Sequence, residues 1–130
     1  MKEGVFYFGL GTLFTHELDA VMNHEWRVMP LIRALSDDTG ATCFVLAHVP
    51  IFAIVVALVA NNNQKIRRDS RFGVALFLVI HALLHVLFKG NPTYEFSGIL
   101  SNSLIFGGAI LGLVYLLLEW WQRSKIDCVE

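Results

Sequence analysis

Five histidines and two nearby carboxylates carry the chemistry this sequence offers. His81 and His85 are four residues apart, so on a helix their imidazoles share one face, a turn apart, and can reach a single metal ion. His16 is followed by Glu17 and Asp19, and at 100° per residue His16, Asp19, Ala20, Asn23 and Arg27 fall on one helix face, with Glu17 and His24 on its flank. His48 stands in a run of twenty residues, 41–60, with no Asp, Glu, Lys or Arg. Neutral imidazole binds zinc, iron, copper or nickel, and the lack of a nearby thiolate speaks against a soft copper or iron–sulfur site. The expected ligand set is therefore His16, His48, His81 and His85. Asp19 serves as a further ligand or as an orienter of an imidazole, and Glu17 as general base.

Positioning such residues takes helices. The chain is 55% hydrophobic, and its charges are spaced far apart: residues 41–60, 72–88 and 96–118 contain none. A soluble helix of that length would keep a polar face, whereas a bilayer-spanning one needs about 20 apolar residues to cross roughly 30 Å. The reading is all-α: a single domain over 1–130, an integral membrane bundle of four transmembrane helices at about 4–26, 41–60, 72–89 and 96–121. The residues after Trp26, entered at Pro30, form either a short amphipathic connecting helix on the membrane surface or a kinked continuation of the first helix. Counted from the ends near the termini at 1.5 Å per residue, His16 and His48 both lie roughly 18 Å up their helices and His85 roughly 20 Å. Three helices thus place an imidazole in one layer. Ionisable groups inside a membrane are costly, face the bundle interior, and pair with one another or mark a functional path.

The loops set orientation. Lys65, Arg67, Arg68 and Arg71 lie on the same side as Lys2, Arg123 and Lys125, seven basic residues, against Arg27, Arg33 and Lys89 on the other. Cytoplasmic loops carry the excess of Lys and Arg, so the protein is expected in the inner cell membrane, multi-pass, with both termini cytoplasmic. Trp26 and Tyr94 then anchor the outer interface, and Trp120 and Trp121 the inner one. Cys43 and Cys128 fall on opposite sides and cannot bridge. Gly108 and Gly112 form a GxxxG strip that admits another helix closely, either within the chain or in a homodimer. The net charge of −1 gives no reason to propose nucleic acid as a partner. The bilayer is the expected partner, with a lipid-like small molecule as the ligand.

The run Thr15-His16-Glu17-Leu18-Asp19-Ala20, then His24-Glu25-Trp26-Arg27 and Pro30, resembles a family of small bacterial four-helix membrane proteins of uncharacterised function. That resemblance implies a fold and draws attention to these polar residues without supplying an activity. The intramembrane His-x-x-x-His with a further His and an Asp on other helices also looks like the zinc site of the ceramidase and progestin-receptor-like membrane hydrolases. The likeness is one of chemistry only, since those proteins have about seven helices. No His-Glu-x-x-His occurs, because His16-Glu17 and His24-Glu25 are not followed by a histidine at the required spacing.

Three functional classes follow. In the first, a zinc or iron ion in the histidine/carboxylate site makes the chain a metal-dependent hydrolase or oxygenase acting on a membrane-dissolved substrate. In the second, two histidines on different helices ligate haem for electron transfer or sensing. The third is a non-catalytic subunit or carrier, in which the polar layer is a buried network that fixes helix register or conducts an ion.

Overall fold

A computed structural model describes residues 1–127, and Cys128 lies outside them. Four α-helices form in order: α1 (Lys2–Met22), α2 (Asp37–Val59), α3 (Gln64–Phe88) and α4 (Ile99–Asp127). A 3₁₀ turn at Glu25–Arg27 separates the first two. Among the described residues there is no strand. Of the four helices, α2, α3 and α4 are long and apolar enough to cross a membrane. The expected fourth span is not among them: α1 has 21 residues, but His16, Glu17 and Asp19 in its last turns lower its hydropathy. The helix that falls short is the one that carries the site.

The chain runs up and down. Lys2 reaches Glu119 at 2.6 Å and Glu3 reaches Arg71 at 2.6 Å, so the termini and the α2–α3 turn share one end. Arg27 bridges Asp37 and Glu95 at the other, the loop end. The buried Arg71 guanidinium closes the terminal end: it donates to the Val59 carbonyl and the Tyr7 hydroxyl and lies 5.2 Å from the Phe6 ring centre. Asn63 starts α3 by accepting hydrogen bonds from the Lys65 and Ile66 amides, satisfying two donors a helix start leaves open.

α4 packs along α1 and α3, while α2 touches mainly α3 and the 3₁₀ turn. The tight packing has a residue-level cause. A Cβ on Gly112 would stand 2.5 Å from the Ala75 carbonyl oxygen, and Cβ atoms on Gly108 and Gly9 would each stand 3.2 Å from Leu78. The glycine strip is thus taken up inside the chain, where α3 crosses α4. Two apolar clusters result. One, at the loop end, holds Ala20, Trp26, Phe44, Ala82, Phe96 and Ile105. The other, at the terminal end, holds Phe6, Leu10, Val59, Ala75 and Tyr115. Many of the other large apolar side chains of α2, α3 and α4 are exposed, as lipid contact requires.

The connection from α1 to α2 differs from expectation. α1 ends at Met22 instead of 26, and no amphipathic helix follows: residues 30–34 are turn. Asn23 donates its side-chain amide to the Asp19 carbonyl oxygen, and His24 then takes a left-handed backbone with φ 50°. Among non-glycine residues, Asn, Asp and His tolerate that region best. The reversal turns Trp26 inward, where it is buried against Gly40 and donates its indole N–H to Asp37 at 2.8 Å. Trp26 is therefore a core residue and not an interface anchor. Trp120 and Trp121 are exposed, as anchors would be.

Candidate metal centre

Between the two apolar clusters, α1, α3 and the 3₁₀ turn bring polar atoms together. His16, Glu25, His81 and His85 each offer one ligand atom, all within 4.8 Å of one another. His81 Nε2 and His85 Nε2 are 3.1 Å apart, as the one-turn spacing on α3 dictates. Glu25 Oε2 stands 3.8 Å from His16 Nε2, and Oε1 stands 4.0 Å from His85 Nε2. The three imidazole rings pack edge to face with centres 4.6 to 5.0 Å apart. That spacing suits one shared ion.

The surroundings explain why the arrangement is notable. His16 Nδ1 and Nε2, Asp19 Oδ2 and Glu25 Oε2 are buried without a hydrogen-bond partner among the described residues. An unsatisfied buried polar atom costs ~1–3 kcal/mol, so four in one place is a strained arrangement for protein groups alone. Burial, followed by the neighbouring Glu17 and Asp19 carboxylates, pushes the Glu25 carboxyl up to about 8. A cation among the four ligand atoms would relieve the penalties on His16 Nε2 and Glu25 Oε2, while His16 Nδ1 and Asp19 Oδ2 face each other at 3.9 Å.

Supporting groups hold the ligands. Asp19 accepts hydrogen bonds from Asn23 Nδ2 at 3.0 Å and Ser101 Oγ at 3.1 Å on α4, and its other oxygen lies 3.9 Å from His16 Nδ1. Asp19 is thus fixed to α4 and faces His16 without a hydrogen bond to it. Tyr94 Oη lies 3.1 Å from His85 Nδ1. Burial, with the Glu25 carboxylate near it, holds the Tyr94 phenol above its ordinary range, so it stays protonated. Phe96 covers the cluster, its ring centre 4.7 Å from that of His85 and 5.6 Å from that of His16.

His48 stands apart from these four. Its Nδ1–H donates to the Phe44 carbonyl at 2.7 Å, one turn back on α2, and its Nε2 meets Glu17 Oε2 at 2.9 Å. Glu17 and His48 thus form their own pair. His24, the fifth histidine, pairs with Glu95 at 2.8 Å at the half-exposed loop end. That hydrogen bond, assisted by Arg27, holds the Glu95 carboxyl below the ordinary range. Of the residues singled out from sequence, the fold joins His16, His81 and His85, sets Asp19 behind His16, and puts His48 with Glu17. It adds Glu25, for which the sequence suggested no ligand role, and Tyr94, expected as an outer-interface anchor.

A cavity of about 870 Å³ opens beside the cluster, between α2 on one side and α1 and α3 on the other. His81, His85, Glu25, Glu17 and His48 line one part of it, and apolar side chains line nearly all the rest. Its volume lies toward the upper end of the usual range for small-molecule sites.

The chain belongs to a family of unknown function (DUF6713), which it matches over residues 2–122. No curated protein and no solved structure matches it. The chain is therefore a helical, membrane-type protein of that family with a His/Glu cluster able to hold a metal ion.

Proposed function

We propose that this chain is a membrane-embedded, zinc-dependent hydrolase whose ion is held by His16, Glu25, His81 and His85. The observation that carries the reading is the convergence of these four buried ligand atoms, with His16 and Glu25 otherwise unpartnered. Three imidazoles and one carboxylate, with no thiolate, match zinc's preferences, and one compact cluster suits one ion better than a di-iron pair. Zinc in such a site supplies Lewis acidity, polarising a carbonyl and making bound water acidic enough to attack near neutral pH.

The chain's own groups do the rest. Asp19, fixed by Asn23 and Ser101, stands 3.9 Å from His16 Nδ1, and its charge favours the tautomer with the proton on Nδ1, which would leave Nε2 free as a ligand. Tyr94 does the same for His85: with Nδ1–H donated to its hydroxyl, Nε2 keeps its lone pair for the ion. Glu17 and His48 share a proton across 2.9 Å on the wall of the cavity. Because His48 Nδ1 is tied to the Phe44 carbonyl, Nε2 is the nitrogen that exchanges the proton with Glu17. This pair is the proton carrier: Glu17 takes a proton from the attacking water, and His48 returns one to the leaving group. Phe96 and the apolar walls exclude bulk water.

In the membrane, α1 completes a fourth crossing with its polar residues turned into the bundle. The basic excess at the terminal end keeps both termini in the cytoplasm. Substrate therefore reaches the site from the bilayer.

Elemental analysis of protein purified in detergent tests the reading. Wild type should carry about one zinc per chain, and a His81→Ala, His85→Ala double variant should carry none. Wild type free of stoichiometric metal, after purification without chelators, would overturn it.

A further inference from the structure

The cavity's shape says more than its volume. Along α2 its lining residues run from Cys43 to Val59, and along α3 from Phe88 back to Ser70. At 1.5 Å per residue these are stretches of roughly 24 and 27 Å, so the space is a slot and not a bowl. Its polar groups are gathered toward the loop end: Glu25, Glu17, His48, His81 and His85. Below them the walls are Phe52, Val55, Leu58, Val74 and Phe77, and the slot ends at Val59 and Ser70.

Two lengths then coincide. From His48 to Val59 the apolar part of the slot descends eleven residues of helix, roughly 16 Å. One leaflet of a bilayer has a hydrocarbon thickness of about 15 Å, half of the roughly 30 Å core. At the other end, His85 lies three residues before the end of α3, roughly 5 Å inside it. The apolar part of the slot is thus about as long as one leaflet is thick, and the cluster stands at its upper end. α2, which packs mainly on α3 and the 3₁₀ turn, leaves the slot's flank towards α1 loosely closed.

We propose that the slot takes one acyl chain of a bilayer lipid and presents its ester or amide linkage to the His/Glu cluster. The identification of the linkage as the bond that reacts rests on the hydrolase reading above; the seating of the chain does not. Hydrolysis there adds water across the acyl bond. The water oxygen joins the carbonyl carbon, the C–O or C–N bond breaks, and the leaving oxygen or nitrogen gains a proton. The products are a fatty acid and an alcohol or amine.

Gly73 supplies the test. It lines the lower slot, and a Cβ built there meets nothing within 4 Å, so a larger side chain fills the slot without striking backbone. Gly107, on α4, also meets nothing and does not line the slot, so it serves as control. The protein in lipid nanodiscs is photolabelled with a long-chain fatty acid carrying a diazirine near its methyl end, and labelled residues are mapped by mass spectrometry. Labels are expected on Val55, Leu58, Val74 and Phe77. Gly73→Phe should cut them about tenfold, the worth of roughly two buried methylenes, with metal content unchanged. Gly107→Phe should leave labelling as in wild type. Labelling spread evenly over the lipid-facing sides of α1 and α4, or untouched by Gly73→Phe, overturns the proposal. Slot labelling in a protein that binds no metal would keep the acyl-chain site and remove only the hydrolase.

Discussion

Glu25→Gln is the sharpest perturbation of the site, because it keeps the side chain's shape and removes its charge. In a four-coordinate zinc site with bonds of roughly 2.0–2.1 Å, neighbouring ligand atoms stand roughly 3.3–3.4 Å apart. His81 and His85 already meet at 3.1 Å, and Glu25 stands 3.8 and 4.0 Å from His16 and His85. Closing about half an ångström asks only for a small rotation of a side chain on a loop. The glutamine offers one weaker oxygen and turns an N–H donor toward imidazole nitrogens. Loss of an outer-shell partner costs ~10–100-fold in metal affinity, so loss of a direct anionic ligand should reach at least the top of that range. The expected weakening is about a hundredfold, or about 2.8 kcal/mol. Competition against a chromogenic zinc chelator in detergent, at fixed pH, measures it directly. Glu17→Gln, measured alongside, should leave affinity nearly unchanged, since Glu17 is engaged with His48. Affinity kept within about threefold in Glu25→Gln, with a large loss in Glu17→Gln, would refute the ligand assignment.

The same geometry sets other expectations. His48→Ala should retain full zinc content while abolishing turnover of an acyl substrate; loss of the metal would show that His48 is a ligand after all. Gly112→Ala places a methyl 2.5 Å from the Ala75 carbonyl oxygen and should cost about 2–3 kcal/mol of stability in a detergent unfolding titration, near the top of the overpacking range. Gly107→Ala, which meets nothing, should stay within about 0.5 kcal/mol. Equal stabilities would mean that α3 and α4 do not cross at Gly112. Because its folded-state carboxyl is held below the ordinary range, Glu95 contributes to stability above the ordinary glutamate range, and the contribution fades as pH falls through the lowered value. Trp26 emission, in a Trp120→Phe, Trp121→Phe background, should therefore hold steady near neutral pH and shift only in acid. A shift already near pH 6 would point to another group.

The sequence displayed the helices plainly, because charge-free runs of twenty residues leave few alternatives. It also displayed the His81–His85 pair, since a four-residue spacing on a helix is a short-range fact. His16 joined them through its depth. Glu25 was hidden for a physical reason: it lies nine residues after His16, so a continuous helix would turn it about 180° away. The left-handed His24 folds the chain back and brings Glu25 over His16. Asn23, a residue favoured at helix C-termini, was the available signal for that break. His48 shows the converse. Equal depth placed it in the histidine layer, but depth says nothing about direction around the bundle axis, and Glu17 on the neighbouring helix met it first. The apolar count of α1 fell short for the same reason that the site exists.

Arg27 also has a bearing on how the protein is made. It sits two residues after Glu25 and is held by Asp37 at the start of α2 and by Glu95 just before α4. The turn that carries Glu25 is thus secured in part by Glu95, a residue that leaves the ribosome seventy positions later. A nascent chain with only three helices made has His16, His81, His85 and the Asp37 half of the Arg27 clamp, but lacks the Glu95 half. On the proposed zinc reading, arrested chains ending before Glu95 should hold the ion more weakly than the whole chain.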